Sequence, residues 1–265
     1  MATTVIPSSP RSTSEVRWRR IVGAAALALT VAAAPAAASS FAVDPTLIQL
    51  SPRASSSLLA VKNESAHAVT LQVSAFAWAQ SAHGDMQLAP TDDIVFFPAL
   101  LTLQPGEQRR IRIGTTAALG GSVERSYRLF VEELPPERKA GDATVVSVLT
   151  KMGIPIFLQP SASKAQASLR NLTTDGGAFS FQLENTGSVH FVPTAVRVVG
   201  VSATGETVFD RNLQSWYVLA GGTRVFTVPT PAPDCSRLRS LAVEVQVGDS
   251  VVKERLETPR GTCGP

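Results

Sequence analysis

Apolar and polar residues alternate with a period of two along most of the chain, or fall into short β-branched and aromatic runs. That is the pattern of strands with one or both faces buried. It is clearest in Ser57–Lys62, Ala68–Trp78, Arg109–Gly114, Tyr127–Glu133, Val145–Phe157, Phe179–Leu183 and Ala195–Val201. Turn-forming residues separate these runs: Lys62-Asn63-Glu64, Gln104-Pro105-Gly106, Leu119-Gly120-Gly121, Thr174-Asp175-Gly176-Gly177 and Ala220-Gly221-Gly222. No long amphipathic helix is predicted, and the Ala-rich piece Thr116–Leu119 has room for one helical turn at most. Short strands at this spacing predict an all-β chain made of two immunoglobulin-like β-sandwich domains. The small, polar stretch Gln159-Pro160-Ser161-Ala162-Ser163-Lys164 divides them, giving an expected N-terminal domain over 39–160 and a C-terminal domain over 161–265.

Charge changes the picture at the N-terminus only. The 265 residues carry a formal net charge of +3, but Arg11, Arg17, Arg19 and Arg20 against Glu15 supply that excess within 1–38. The remainder is balanced, which removes the basis for a nucleic-acid or anionic-membrane surface. Arg17-Trp18-Arg19-Arg20 precedes an apolar run from Ile21 to Ala34 and then Ala36-Ala37-Ala38. A basic segment, a short apolar run and an A-x-A end predict a signal peptide over 1–38, too short in its apolar part to span a bilayer. No stable membrane insertion is expected after its removal. The two cysteines, Cys235 and Cys263, lie 28 positions apart and form an even pair in an exported chain, so a disulfide between them is expected.

Catalytic chemistry has little to stand on. The three histidines, His67, His83 and His190, fall in a turn, a polar loop and beside a strand start. No H-x-x-x-H, G-x-S-x-G, phosphate-loop or dinucleotide motif occurs, so no enzyme activity, metal or cofactor is expected. Asp92-Asp93 reads as a solvated acidic turn, and Asn63-Glu64-Ser65 and Asn171-Leu172-Thr173 match the glycosylation pattern without further support.

More specific wording lies in the first domain. Asp93-Ile94-Val95-Phe96-Phe97-Pro98, then Leu103-Gln104-Pro105-Gly106-Glu107-Gln108-Arg109-Arg110-Ile111-Arg112-Ile113, then Glu124-Arg125-Ser126-Tyr127-Arg128-Leu129-Phe130-Val131-Glu132-Glu133-Leu134-Pro135-Pro136, resemble the periplasmic pilus-assembly (PapD-like) chaperones. Glu184-Asn185-Thr186-Gly187-Ser188-Val189-His190-Phe191 and Val218-Leu219-Ala220-Gly221-Gly222 are similar to that family's second domain. The resemblance implies a periplasmic chaperone that lends a strand to pilin subunits, the donor-strand form of sheet-edge addition, and delivers them to an outer-membrane usher.

The lending strand would be Val145–Phe157, whose even positions form the more continuous apolar row; Val146, Val148, Thr150, Met152 and Ile154 are the candidate partner-binding residues. Pro155 lacks an N–H, so odd-numbered backbone groups are expected to face an open sheet edge and any added ladder to stop before it. The resemblance also implies a cation pair for the pilin's terminal carboxylate, but Leu47 and Pro155 stand at those places. Arg128 and Arg112 are the candidate replacements, since a guanidinium fork pairs bidentately with carboxylate. The competing readings are a secreted two-sandwich adhesive or structural module and, further behind, a secreted hydrolase on a β-scaffold.

Overall fold

A computed structural model describes residues 41–136, 148–175, 177–230 and 232–258. The expected signal segment 1–38, Val146 and Cys263 lie outside the described residues. The chain is all-β and forms two immunoglobulin-like sandwiches. In the first, β1 (Phe41–Asp44), β3 (Ser56–Asn63), β8 (Gln108–Thr115) and β6 (Ile94–Phe97) make one sheet in the order β1-β3-β8-β6. The facing sheet has the order β2-β10-β9-β4-β5, from β2 (Ile48–Leu50), β10 (Lys151–Leu158), β9 (Arg125–Glu133), β4 (Val69–Gln80) and β5 (Met86–Pro90). A short β7 (Leu100–Leu103) also pairs with β4. Alternation delivers the core: Leu59 and Val61, Leu71 and Val73, Ile111 and Ile113, Leu129 and Val131, and Ile154 and Ile156 all point between the sheets and are buried. Each such side chain contributes about 1.5–3 kcal/mol.

The second sandwich sets β11 (Ala167–Asp175), β12 (Ala178–Asn185) and β15 (Thr223–Pro229) against the sheet β14-β13-β16-β17. The latter comprises β14 (Thr207–Asn212), β13 (Ala195–Ser202), β16 (Leu238–Val247) and β17 (Ser250–Glu257). Phe179, Phe181 and Leu183 meet Val196, Val198, Leu241, Val243 and Val245 in its core, and Phe181 stacks on Phe226 at 5.0 Å.

Two elements differ from expectation. Residues 145–157 predict one strand of thirteen positions, whereas β10 begins at Lys151, and the described residues Val148, Leu149 and Thr150 are outside it. The partner strand explains this. Glu133, the last residue of β9, donates its N–H to Thr150 O at 2.9 Å, and Pro135 and Pro136 beyond it have no N–H to continue a ladder. A helix also appears, α1 (Ala232–Arg237), with Asp234 in its first turn and Arg237 in its last, both favourable to the helix dipole. Six residues are too few to register as a period of 3.6.

The sandwiches share one internal device. Asn63 and Asn185 are buried at the ends of β3 and β12. Asn63 Nδ2 donates to His67 O (2.7 Å) and Leu103 O (3.0 Å); Asn185 Nδ2 donates to Val189 O (2.9 Å) and Val218 O (3.0 Å). Each amide thus ties its own turn to a distant segment, and the buried, fully used Asn63 side chain is a structural residue rather than a glycan acceptor. Gly187 follows from the same turn. The linker runs so close that a Cβ there would lie 2.1 Å from Lys164 O. Thr186 N–H to Gln166 O and Ser188 N–H to Lys164 O, both 2.8 Å, stitch the linker down.

Candidate partner-binding site

The site begins with the edge of β10. Thr150 O accepts from Glu133 N, so even-numbered residues of β10 turn their backbone groups to β9 and odd-numbered ones turn the other way. On that other side β2 pairs in parallel with Ile156, Phe157 and Leu158, and Gln159 N–H continues to Leu50 O at 2.8 Å. Among the described residues, no strand pairs with β10 on that side before Ile156. Lys151 and Gly153 therefore present their backbone to an open edge, and Pro155, which has no N–H, stands where β2 takes over.

Side chains divide along the same strand. Val148 is 88 % exposed. Thr150 is half-buried, Met152 packs against the first core, and Ile154 is fully inside it. The expectation that Met152 and Ile154 belong to a partner therefore differs from their packing: Ile154 fills its own sandwich and Met152 lies half-buried against it, because from Lys151 onward β10 is an integral strand with its even face inward.

The odd face of β10 and the matching face of β9 turn outward, toward the second sandwich. There Pro155 is registered directly opposite Arg128 on β9. Arg128 is 6 % exposed, yet no carboxylate among the described residues lies within ion-pair distance of it. Its Nη1 donates to Gly153 O at 3.1 Å. Nε and Nη2, which together form one side of the guanidinium fork, are buried without an acceptor. Aromatic rings enclose the group: Trp78 at 4.1 Å, Trp216 at 5.1 Å and Tyr217 at 5.7 Å from its central carbon. Burial holds its pKa below the ordinary guanidinium value. Cation–π contact offsets part of the desolvation, but each unpaired buried donor costs about 1–3 kcal/mol. A bidentate oxyanion would satisfy both nitrogens at once.

Arg128 therefore occupies a junction between sandwiches. Trp78 and Phe157 from the first and Leu219 from the second form a small shared core, with Leu47 and Tyr217 packed on it. Leu47 thus sits in apolar packing, in agreement with its inability to hold a carboxylate. Gln80 spans the junction, donating Nε2 to Tyr217 O (2.8 Å) and accepting from Leu219 N (3.0 Å). Glu124 on the first sandwich accepts from His190 on the second. The sequence pattern missed Trp78, Gln80, Glu124, His190, Trp216 and Tyr217 as site residues, since they converge from separate segments.

Arg112, the other candidate cation, is on β8 in the opposite sheet. It is exposed, registers against Leu58 and Phe97, and lines a shallow surface cavity with Val95 and Phe97. Arg112 and Arg128 are on opposite outer faces of the first sandwich, so they cannot share one carboxylate. The two candidates are therefore separate places, Arg128 buried at the junction and Arg112 exposed on the opposite sheet. Cys235 in α1 is disulfide-bonded and 9 % exposed; its expected partner Cys263 lies outside the described residues. No group of three or more metal-ligating side chains occurs among the described residues, and none of their helices is long and apolar enough to cross a membrane.

Residues 40–164 match the family model of the PapD N-terminal domain, described as a pili and flagellar-assembly chaperone. No curated protein matches the chain. Among solved structures, one similar chain comes from the CsuC–CsuE chaperone–tip adhesion subunit pre-assembly complex of the archaic chaperone-usher Csu pili of Acinetobacter baumannii. It is 17 % identical with a TM-score of 0.55, over 82 % of this chain and 98 % of that one. The Salmonella enterica SafA pilin–SafB chaperone complex gives 17 % identity and a TM-score of 0.54, over 83 % and 98 %. The Class 5 fimbriae chaperone CfaA gives 12 % and 0.55, over 83 % and 99 %. At these identities the likeness is one of fold.

Proposed function

We propose that this chain, whose residues 40–164 belong to the pili and flagellar-assembly chaperone family, holds pilin subunits by lending them a strand and hands them to an outer-membrane usher. It acts in the periplasm after losing residues 1–38, and the reading requires no bond to be made or broken. The observation that carries the proposal is the pairing of an open strand edge with a buried, half-unpaired guanidinium beside it.

The lending segment is the stretch leading into β10. Val146, Val148 and Thr150 insert into the subunit, while Met152 and Ile154 stay in the chaperone's own core. The subunit's strand adds along the odd-numbered backbone groups up to Gly153, because Pro155 offers no N–H and β2 holds the edge from Ile156 onward. The subunit's terminal carboxylate then meets the Nε–Nη2 side of Arg128, whose Nη1 already touches Gly153 O. Arg128 thus takes the role of the cation pair whose places Leu47 and Pro155 occupy.

Co-expression with a pilin subunit in the periplasm tests this. Val148→Asp is expected to leave the chaperone soluble and abolish recovery of the subunit, since a carboxylate cannot enter an apolar groove without a partner. Undiminished recovery overturns the strand assignment.

A further inference from the structure

Three N–H donors in the cluster around Arg128 are buried without an acceptor: Arg128 Nε, Arg128 Nη2 and Trp78 Nε1. Folded proteins rarely leave one such donor unpaired, and here three gather in one junction. Trp78 is 4 % exposed and its ring stacks 4.1 Å from the guanidinium carbon, so its unpaired indole N–H is buried in the same aromatic cluster as the fork. An indole can only donate. Two guanidinium donors and one indole donor therefore call for a ligand that only accepts, with at least two oxygens.

Trp216 packs against this cluster. Its ring centre is 5.1 Å from the guanidinium carbon and 5.7 Å from that of Trp78, and it is the more exposed of the two indoles, at 37 %. It sits in the irregular stretch 213–217, whose backbone is held on both sides. Leu213 N–H bonds to Val196 O and Val218 N–H to Phe191 O, each at 2.8 Å, and Tyr217 O accepts from Gln80 at 2.8 Å. The backbone is pinned, and the indole is the part left to turn.

We infer that this is a closed oxyanion pocket in which Trp78 Nε1 is the third donor beside the Arg128 fork, and the Trp216 indole is the lid that a carboxylate displaces. The inference rests on the partner-carboxylate reading above and adds two residues to it. Opening gives up the Arg128–Trp216 cation–π contact and replaces it with charge-assisted hydrogen bonds in the same desolvated place. A neutral amide brings only ordinary hydrogen bonds and does not open the lid. The displaced indole leaves apolar surface to be covered again, so the ligand is a chain-terminal carboxylate on an apolar or aromatic residue. Trp78 and Trp216 thereby select for a free terminus over an internal acid on a polar segment.

The test titrates the full chain, with its tryptophans and arginines labelled with nitrogen-15 and the Arg128 Nε–H signal assigned by Arg128→Met, against N-acetylphenylalanine, using N-acetylphenylalaninamide as the control. The indole signals of Trp18, Trp78 and Trp216 are assigned by single substitution. The acid is expected to shift the Trp78 indole N–H saturably and to make Trp216 more accessible to an acrylamide quencher, while the amide does neither. Trp216→Ala is expected to tighten acid binding about 3- to 30-fold, the factor for one cation–π contact. Arg128→Met is expected to abolish the response. The inference is overturned, with the carboxylate reading intact, if Arg128 Nε–H shifts but the Trp78 indole does not. Equal effects of acid and amide, or unchanged or weaker binding in Trp216→Ala, overturn it as well. If neither Arg128 nor Trp78 responds in the parent chain and in Trp216→Ala alike, the carboxylate reading itself fails.

Discussion

Glu124 Oε1 takes two hydrogen bonds from one residue of the other sandwich, at 2.9 Å from His190 N and 2.6 Å from His190 Nδ1. The Glu124 backbone N–H adds a bond to Ser188 O at 2.9 Å, and the His190 ring stacks on Phe157 at 3.6 Å between centroids. A buried carboxylate is thus spent on fixing the two sandwiches against each other, next to the surface that carries Arg128. Glu124→Ala leaves the half-buried His190 N–H without its acceptor and is expected to cost about 1 kcal/mol. Chemical denaturation measures the loss. Stability equal to the parent chain would show that the contact does not hold the junction.

Arg128, the proposed carboxylate anchor, and Arg109 differ in burial and pairing. Arg109 is exposed and paired with Glu107 at 2.7 Å, while Arg128 is buried with half of its fork unpaired. Arg128→Ala is expected to weaken subunit capture about 10- to 100-fold, as for one charge-assisted hydrogen bond, and Arg109→Ala to leave it nearly unchanged. Arg128→Lys should recover only part of the loss, since an ammonium is not a planar fork. Equal effects of the two alanine variants, measured by pull-down of a pilin subunit, would remove Arg128 from the site.

Tyr127 gives the fold an alkaline limit. Burial and the 2.5 Å hydrogen bond from its hydroxyl to Asp93 Oδ2 favour the neutral phenol and raise its pKa to about 12. The unfolded chain releases this proton near the ordinary value of about 10, so it deprotonates first as pH rises. The stabilisation is whole below that pH and is lost as pH climbs through the folded value. Tyr127→Phe should flatten the fall in stability across this window. Denaturant midpoints at stepped alkaline pH provide the measurement, and the same slope in both proteins would contradict the assignment.

The disulfide expected between Cys235 and Cys263 closes a loop of 28 positions and is worth about 3–4 kcal/mol in the chain-entropy model. Intact mass of non-reduced chain from the periplasm should be lower by two hydrogens than after reduction. Two thiols open to alkylation in the native protein would refute it.

Local pattern determined the strands of this protein. Alternation in Ser56–Asn63, Val69–Gln80, Gln108–Thr115 and Ala178–Asn185 is a property of neighbours in the chain, and it survives whatever the strands pair with. The same pattern located the segment beside β10, and Pro155 alone, by lacking an N–H, marked where an open edge must end. Alternation also runs through Leu238–Val247, and Gly248-Asp249 joins it to Ser250–Glu257 as a two-residue hairpin turn, so this pair too is a local feature of the sequence. Where β10 starts was decided by its partner, since Pro135 and Pro136 end the ladder that Val148 and Leu149 would otherwise have joined.

What sets Arg128 apart from Arg112 is tertiary for the same reason. Both are arginines between apolar neighbours, Ile111 and Ile113 or Tyr127 and Leu129, and nothing adjacent to either tells which outer face of the sandwich it joins. Trp78, Trp216 and Tyr217 reach Arg128 from two sandwiches, and Glu124 and His190 meet across 66 positions. Burial, an unpaired fork and an aromatic enclosure are properties of a place in three dimensions. Side-chain periodicity reports which way a residue points, whereas only the packing of distant segments decides what it meets there.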